Sequence, residues 1–184
     1  MRSALGKKIR QEAKAHTFKP LYGGESGTEN EQEYYRAFKT KYKGITDMQT
    51  RWKDEVLKTK QLRTITGLIF YWPDTHITRS GYITNTTAIC NYPVQMFATA
   101  DIMPIAVRCL WQRLRSSKMK AFLVNTIHDS AIGEVPDDEI EQYKLYAEEA
   151  FNKDSIEFIE KLYGIEINLA FDSEHKISSH WGSD

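Results

Sequence analysis

The chain has 184 residues, 41% of them hydrophobic and 27% charged, enough for one compact domain or two small ones. Its 10 glycines and 5 prolines exclude a collagen-like or linker-type chain, and no apolar run approaches the roughly 20 residues that cross a bilayer. The net charge is zero but unevenly laid: residues 1–63 carry 15 Lys and Arg against 8 Asp and Glu, residues 64–120 carry 6 against 2, and residues 121–184 carry 4 against 15.

A basic front and an acidic back point to a polyanion partner along one side, with nucleic acid the first candidate. The opening residues MRSALGKKIRQ are charged from the start and lack a signal-peptide apolar core. Cys90 and Cys109 stand too far apart for a zinc or redox motif. The expectation is a reduced, cytoplasmic protein with no membrane partner.

In chain order, residues 2–18 read as a basic helix, which Lys19-Pro20 is expected to disturb, since proline removes a backbone donor. Gly23, Gly24 and Gly27 mark a loop. Thr28 with Glu31 forms a capping-box pattern that opens a helix from Glu29 to about Tyr42, which Gly44 ends. Thr46 or Asp47 then caps a helix through Met48, Trp52, Val56 and Leu57 to about Lys60. The β-branched and aromatic run Thr64–Trp72 reads as a strand with a partner near Tyr82–Thr84. A long helix begins at Pro93, with Val94, Ala98, Ile102, Ile105 and Cys109 on one face and a kink at Pro104.

Ala121–Val124 reads as a buried strand, and Ala131–Val135 returns antiparallel across a polar tip at residues 125–130. Asp137 and Asp138 open a long acidic helix to about Tyr163, with Ile140, Tyr143, Ala147, Phe151, Phe158 and Leu162 on its apolar face. Ile165–Phe171 alternates as a last strand. The class is α+β.

Three motifs carry chemistry. Arg10, Lys14, Phe18 and Tyr22 recur every four residues, which places them on one slowly winding helical stripe about 18 Å long. Two cations followed by two aromatics match a nucleoside triphosphate laid lengthwise, phosphates on the cations and sugar and base on the rings. Thr126-Ile127-His128-Asp129-Ser130 places a carboxylate at a hairpin tip, a rigid mount for a metal ligand. Asn91-Tyr92-Pro93-Val94-Gln95 places two amides one turn apart, suited to base or sugar edges; as a plain structural element, Asn91 would instead cap a helix opening at Pro93.

Taken together, these motifs resemble the family A DNA polymerases. RQEAKAHTFKPLYGG (10–24) is similar to that family's motif B on the fingers helix, TIHDS (126–130) to its motif C, and ICNYPVQMFATADI (89–102) to the long palm helix between them. The FKPLYGG and NYPVQ wording resembles the phage branch, and His180-Trp181-Gly182 resembles the close of the palm.

The resemblance implies a helical fingers segment over 1–84 and the C-terminal half of a palm over 85–184, with a motif C β-hairpin and a long helix. It implies that Arg10 and Lys14 hold the triphosphate of the incoming dNTP, Phe18 packs on its sugar, and Tyr22 stacks near the template base. Asn91 and Gln95 would touch the minor groove of primer–template DNA, His128 would lie near the primer terminus, and Asp129 would ligate catalytic Mg²⁺ in a two-metal site. The family's second aspartate, in motif A, precedes motif B and is not in this sequence; Ser130 stands where many members carry Glu. The expectation is a fragment of a split or truncated polymerase that is inactive until a polypeptide bearing thumb and motif A joins it. In a bacterial host cytoplasm, if phage-encoded, it would act there. The alternative is a non-catalytic DNA-binding remnant.

Overall fold

A computed structural model describes residues 4–24, 26–169, 171 and 173–180. The backbone divides into two compact units, Met1–Gln95 and Met96–Asp184. The class is α+β, mostly helical, with two small antiparallel sheets among the described residues.

The first unit opens with α1 (Ala4–Leu21), which runs through Pro20 instead of breaking before it. Proline in the last turn forfeits a single helical bond, and the chain absorbs that loss at the end of the helix. Thr28 caps α2 (Glu29–Lys41) as the capping-box pattern predicts: its hydroxyl accepts from the Glu31 amide, and its own amide donates to the Glu31 carboxylate at 2.7 Å. Gly44 does not terminate anything. It lies near the start of α3 (Lys43–Thr59), which begins ahead of Thr46 and Asp47; Tyr42, with φ −109° and ψ 54°, makes the break between the two helices.

The predicted strand Thr64–Trp72 resolves differently. β1 (Gln61–Arg63) pairs antiparallel with β2 (Ile69–Tyr71), and Thr64–Leu68 is the loop between them. Near Tyr82 only an isolated bridge, Ile77 to Ile83, forms. α4 (Thr86–Met96) starts a full two turns before Pro93, so Asn91 lies inside a helix and does not cap one. Val56, Leu62, Trp72 and Ile89 form the core of this unit.

In the second unit a π-helical segment, Phe97–Ile102, precedes α5 (Met103–Ser116), and Pro104 falls in the first turn of α5. Pro104 has no N–H for the carbonyl four residues back, and the wider i to i+5 pattern ends immediately ahead of it, with Met103 N–H donating to Ala98. The expected kink is therefore a π segment. β3 (Phe122–Ile127) and β4 (Ser130–Glu134) form the expected antiparallel hairpin.

The predicted acidic helix is three pieces: a short 3₁₀ turn at Asp137–Glu139, α6 (Ile140–Glu149) and α7 (Ser155–Tyr163), the last two joined by a second π segment at Ala150–Asp154. That extra residue per turn rotates the face, so Ile159 is buried while Leu162 is exposed. Ile165 and Ile167 pack on the core, but residues 165–169 take no sheet partner and form no strand. Ala170, Trp181 and Gly182 lie outside the described residues. Ile105, Cys109, Leu110, Leu114, Ala121, Ala147, Ala150 and Ile159 make this unit's core.

Candidate functional site

Arg10 and Lys14 are exposed on α1. The Lys14 ammonium lies 5.5 Å from the centroid of the Phe18 ring, within cation–π range. Phe18 in turn stacks on Tyr22, with centroids 5.7 Å apart and planes 4° from parallel. The structure thus lines up Lys14, Phe18 and Tyr22 as the four-residue spacing predicts, and Pro20 does not swing Tyr22 away.

The reason lies in how α1 ends. Gly23 adopts φ +75°, its amide donates to Pro20 at 3.1 Å, and the Gly24 amide donates to Lys19 at 2.8 Å. This is a Schellman cap, with Tyr22 as the C-cap residue and Gly23 in the left-handed position. A Cβ on Gly23 would meet Cys90 Sγ at 3.0 Å and Thr86 Cγ2 at 3.2 Å, so glycine also permits close approach to α4. The cap leaves the Leu21 carbonyl to other donors. Gln49, only 4% exposed, supplies one: its Nε2 donates to Leu21 O at 2.7 Å and to Pro20 O at 3.3 Å.

Beside the stripe lies a cavity of about 530 Å³, bordered by Phe18, Tyr22, Gly23, Lys53, Tyr82 and Thr86. Sequence reasoning had passed over Gln49 and Lys53. Gln49 was findable, because it shares the helical face of Trp52 and Val56, and a polar side chain on an apolar stripe marks a buried hydrogen bond.

Asn91 and Gln95 sit one turn apart on α4. Gln95 is exposed; Asn91 is half-buried, and its Oδ1 is sheltered without a hydrogen-bond partner among the described residues.

In the other unit, the polar tip predicted at 125–130 tightens to two residues. Ile127 pairs with Ser130, and His128-Asp129 alone make the turn, with His128 at φ +52°. The strands that hold this tip are not buried as expected. Phe122, Val124 and Ile127 are 53%, 56% and 39% exposed. On the hairpin's other side Tyr143 of α6 lies against Gly133, where any larger residue would collide with the phenol. One face of the hairpin is therefore packed and the other is open. His128, Asp129 and Ser130 are all exposed.

Among the described residues no three His, Cys, Asp or Glu side chains cluster to hold a metal ion. Asp129 is one carboxylate on an open tip, and a two-metal centre requires more than one. The donor set present here does not by itself fit such a centre.

The cation–aromatic helix lies in the first compact unit and the hairpin tipped by Asp129 in the second. The structure is similar, with a TM-score of 0.67, to the POL domain of Pol1 from M. smegmatis in complex with DNA primer-template and dNTP. Sequence identity is 21%, and the match covers 80% of this chain and 28% of that one. Residues 2–183 match DNA polymerase family A, and the chain belongs to that family. No helix among the described residues is long and apolar enough to cross a membrane.

Proposed function

We propose that this chain supplies the nucleotide-binding helix and one catalytic carboxylate for template-directed DNA synthesis. In this reading residues 1–84 are fingers and 85–184 the C-terminal part of the palm. The observation that carries it is the collinear Lys14–Phe18–Tyr22 array, cation then stacked rings, on a helix whose end is tightly fixed.

Arg10 and Lys14 bind the triphosphate of a dNTP: the guanidinium offers a planar fork to phosphate oxygens, and the ammonium a compact charge. Phe18 packs against the sugar, and Tyr22 presents its ring to the template base. Asn91 and Gln95 hydrogen-bond in the minor groove of primer–template DNA, where correct pairs offer similar acceptors and sequence is not read. His128 lies near the primer terminus. Asp129 is one ligand for Mg²⁺, and the partner carboxylate comes from a motif A segment outside these residues, whether on the same protein or on a second polypeptide. The open apolar face of β3 supports an additional segment packing there.

Primer extension with Mg²⁺ tests the reading, using this chain, a polypeptide carrying thumb and motif A, and the two mixed. Extension only in the mixture, lost in Asp129→Asn and reduced at least tenfold in Lys14→Ala, is expected; about 1.4 kcal/mol of lost transition-state binding corresponds to that factor. Ser130, which cannot add a second charge beside Asp129, favours one other reading, a DNA-binding remnant. That reading predicts DNA binding that ignores added dNTP and no extension in any mixture.

A further inference from the structure

We propose that Gln49 is a positioning residue for Tyr22, setting the direction in which the chain leaves the nucleotide-binding helix. The proposal rests on the role given to Tyr22 above.

A helix leaves its last carbonyls without partners in the next turn. In α1 the Schellman cap satisfies two of them, at Lys19 and Pro20. The third, Leu21, immediately precedes Tyr22. It is met from α3, 28 residues away in sequence, by the buried amide of Gln49. The same Nε2 lies 3.3 Å from Pro20 O, so one side chain spans the last two residues of the helix.

Two peptide planes held from outside leave little freedom for the next residue. Tyr22 is held on its other flank as well, because Gly23 is seated in a left-handed conformation close against Cys90 and Thr86, where a Cβ would lie only 3.0 and 3.2 Å from their side chains. Its ring then stacks on Phe18 within 4° of parallel. Without the Gln49 amide the part-buried Leu21 carbonyl would lose its partner, and the cheapest relief is rotation of the 21–22 peptide toward water. That rotation moves the Tyr22 ring. Gln49 touches neither nucleotide nor metal in the proposed function. It acts through the backbone.

The test uses the full chain. Gln49→Met keeps the side chain's bulk and helix propensity but has no donor. Val56→Ala, in the same helix and fully buried, provides a control for general loosening. Amide hydrogen exchange is followed at Tyr22, Gly23 and Gly24. In Gln49→Met these three amides should exchange faster by about fivefold or more, over and above any change in the rest of α2 and α3. In Val56→Ala they should change only in step with their neighbours. Equal acceleration everywhere in Gln49→Met overturns the proposal. If Gln49→Met does not fold, Gln49→Asn, whose amide is one methylene short of the carbonyls, makes the same comparison.

The second readout is quenching of 2-aminopurine at the templating position of a primer–template. Tyr22→Ala should abolish it and Gln49→Met should weaken it by a similar factor to the exchange effect. Quenching that is present in the unaltered chain and unchanged in Gln49→Met overturns the positioning role. Local exchange effects without quenching in any form of the chain uphold the anchor and overturn the role of Tyr22 instead.

Discussion

Single side chains decide whether the stripe on α1 holds its shape. Gly23 is the sharpest case, since it needs both a left-handed backbone and an empty place beside Cys90 and Thr86. Gly23→Ala should cost about 1–3 kcal/mol in urea unfolding, from backbone strain alone before packing is counted. The two thiols make a second test at this scale. Burial pushes Cys90 above the ordinary thiol range, and Cys109 is raised by burial and then by the nearby Asp154 carboxylate. Both should therefore resist alkylation at neutral pH in the folded chain and react together once urea unfolds it, as a thiol-counting assay will read. The spacing of Arg10, Lys14, Phe18 and Tyr22 was legible in the sequence because helical geometry is a matter of counting. The effect of Pro20 was not, because it depends on which turn of the helix the ring occupies and on donors that arrive from α3.

At the scale of the element, caps and ion pairs govern. The Thr28 backbone amide, then its hydroxyl, hold the Glu31 carboxylate below the usual range. A folded-state value below the unfolded one means that the contribution is fully present above the unfolded carboxylate's range and is lost as pH falls through the folded one. The start of α2 should thus fray on acidification, measured as amide exchange near Glu31, and Glu31→Gln should remove that pH dependence. In the other unit Arg113 clamps the second π segment. It donates from Nε and Nη2 to Asp154 and from Nη1 to Glu149, and its guanidinium lies 5.8 Å from the Tyr146 ring. Hydrogen bonding to Asp154 raises the pKa of Arg113, so the guanidinium keeps its charge. Arg113→Leu should destabilise by about 1–3 kcal/mol, between a surface pair and a buried one, read as a lower urea midpoint. The capping box was legible because it is a local pattern of two residues. Both π segments were missed, since apolar periodicity carries no mark for one extra residue in a turn, and the register of Leu162 failed for that reason.

For the whole molecule the charge asymmetry becomes a binding property. If the basic front grips primer–template phosphates, affinity should fall linearly with log salt, with a slope of about −0.9 for each phosphate neutralised. Fluorescence anisotropy across a salt series measures it, and a slope near zero would argue against a phosphate grip. The α+β class and the order of motifs were readable along the sequence, because each motif is local. The openness of the hairpin was not: Phe122 and Val124 look like core residues in any window of sequence, and only the packing shows one face without cover.

Val124 has a further consequence. Leu123 pairs with Gly133 and Asn125 with Ile132, so Val124 is an extra residue with no opposite number, a β-bulge. Bulges increase local twist, so the three pairs nearest the turn are rotated relative to the two at the base. The bearing of Asp129 is therefore set partway down the arm, by one extra backbone residue remote from the tip. Loss of that single residue would straighten the ladder and re-aim the carboxylate while leaving His128, Asp129 and Ser130 themselves untouched.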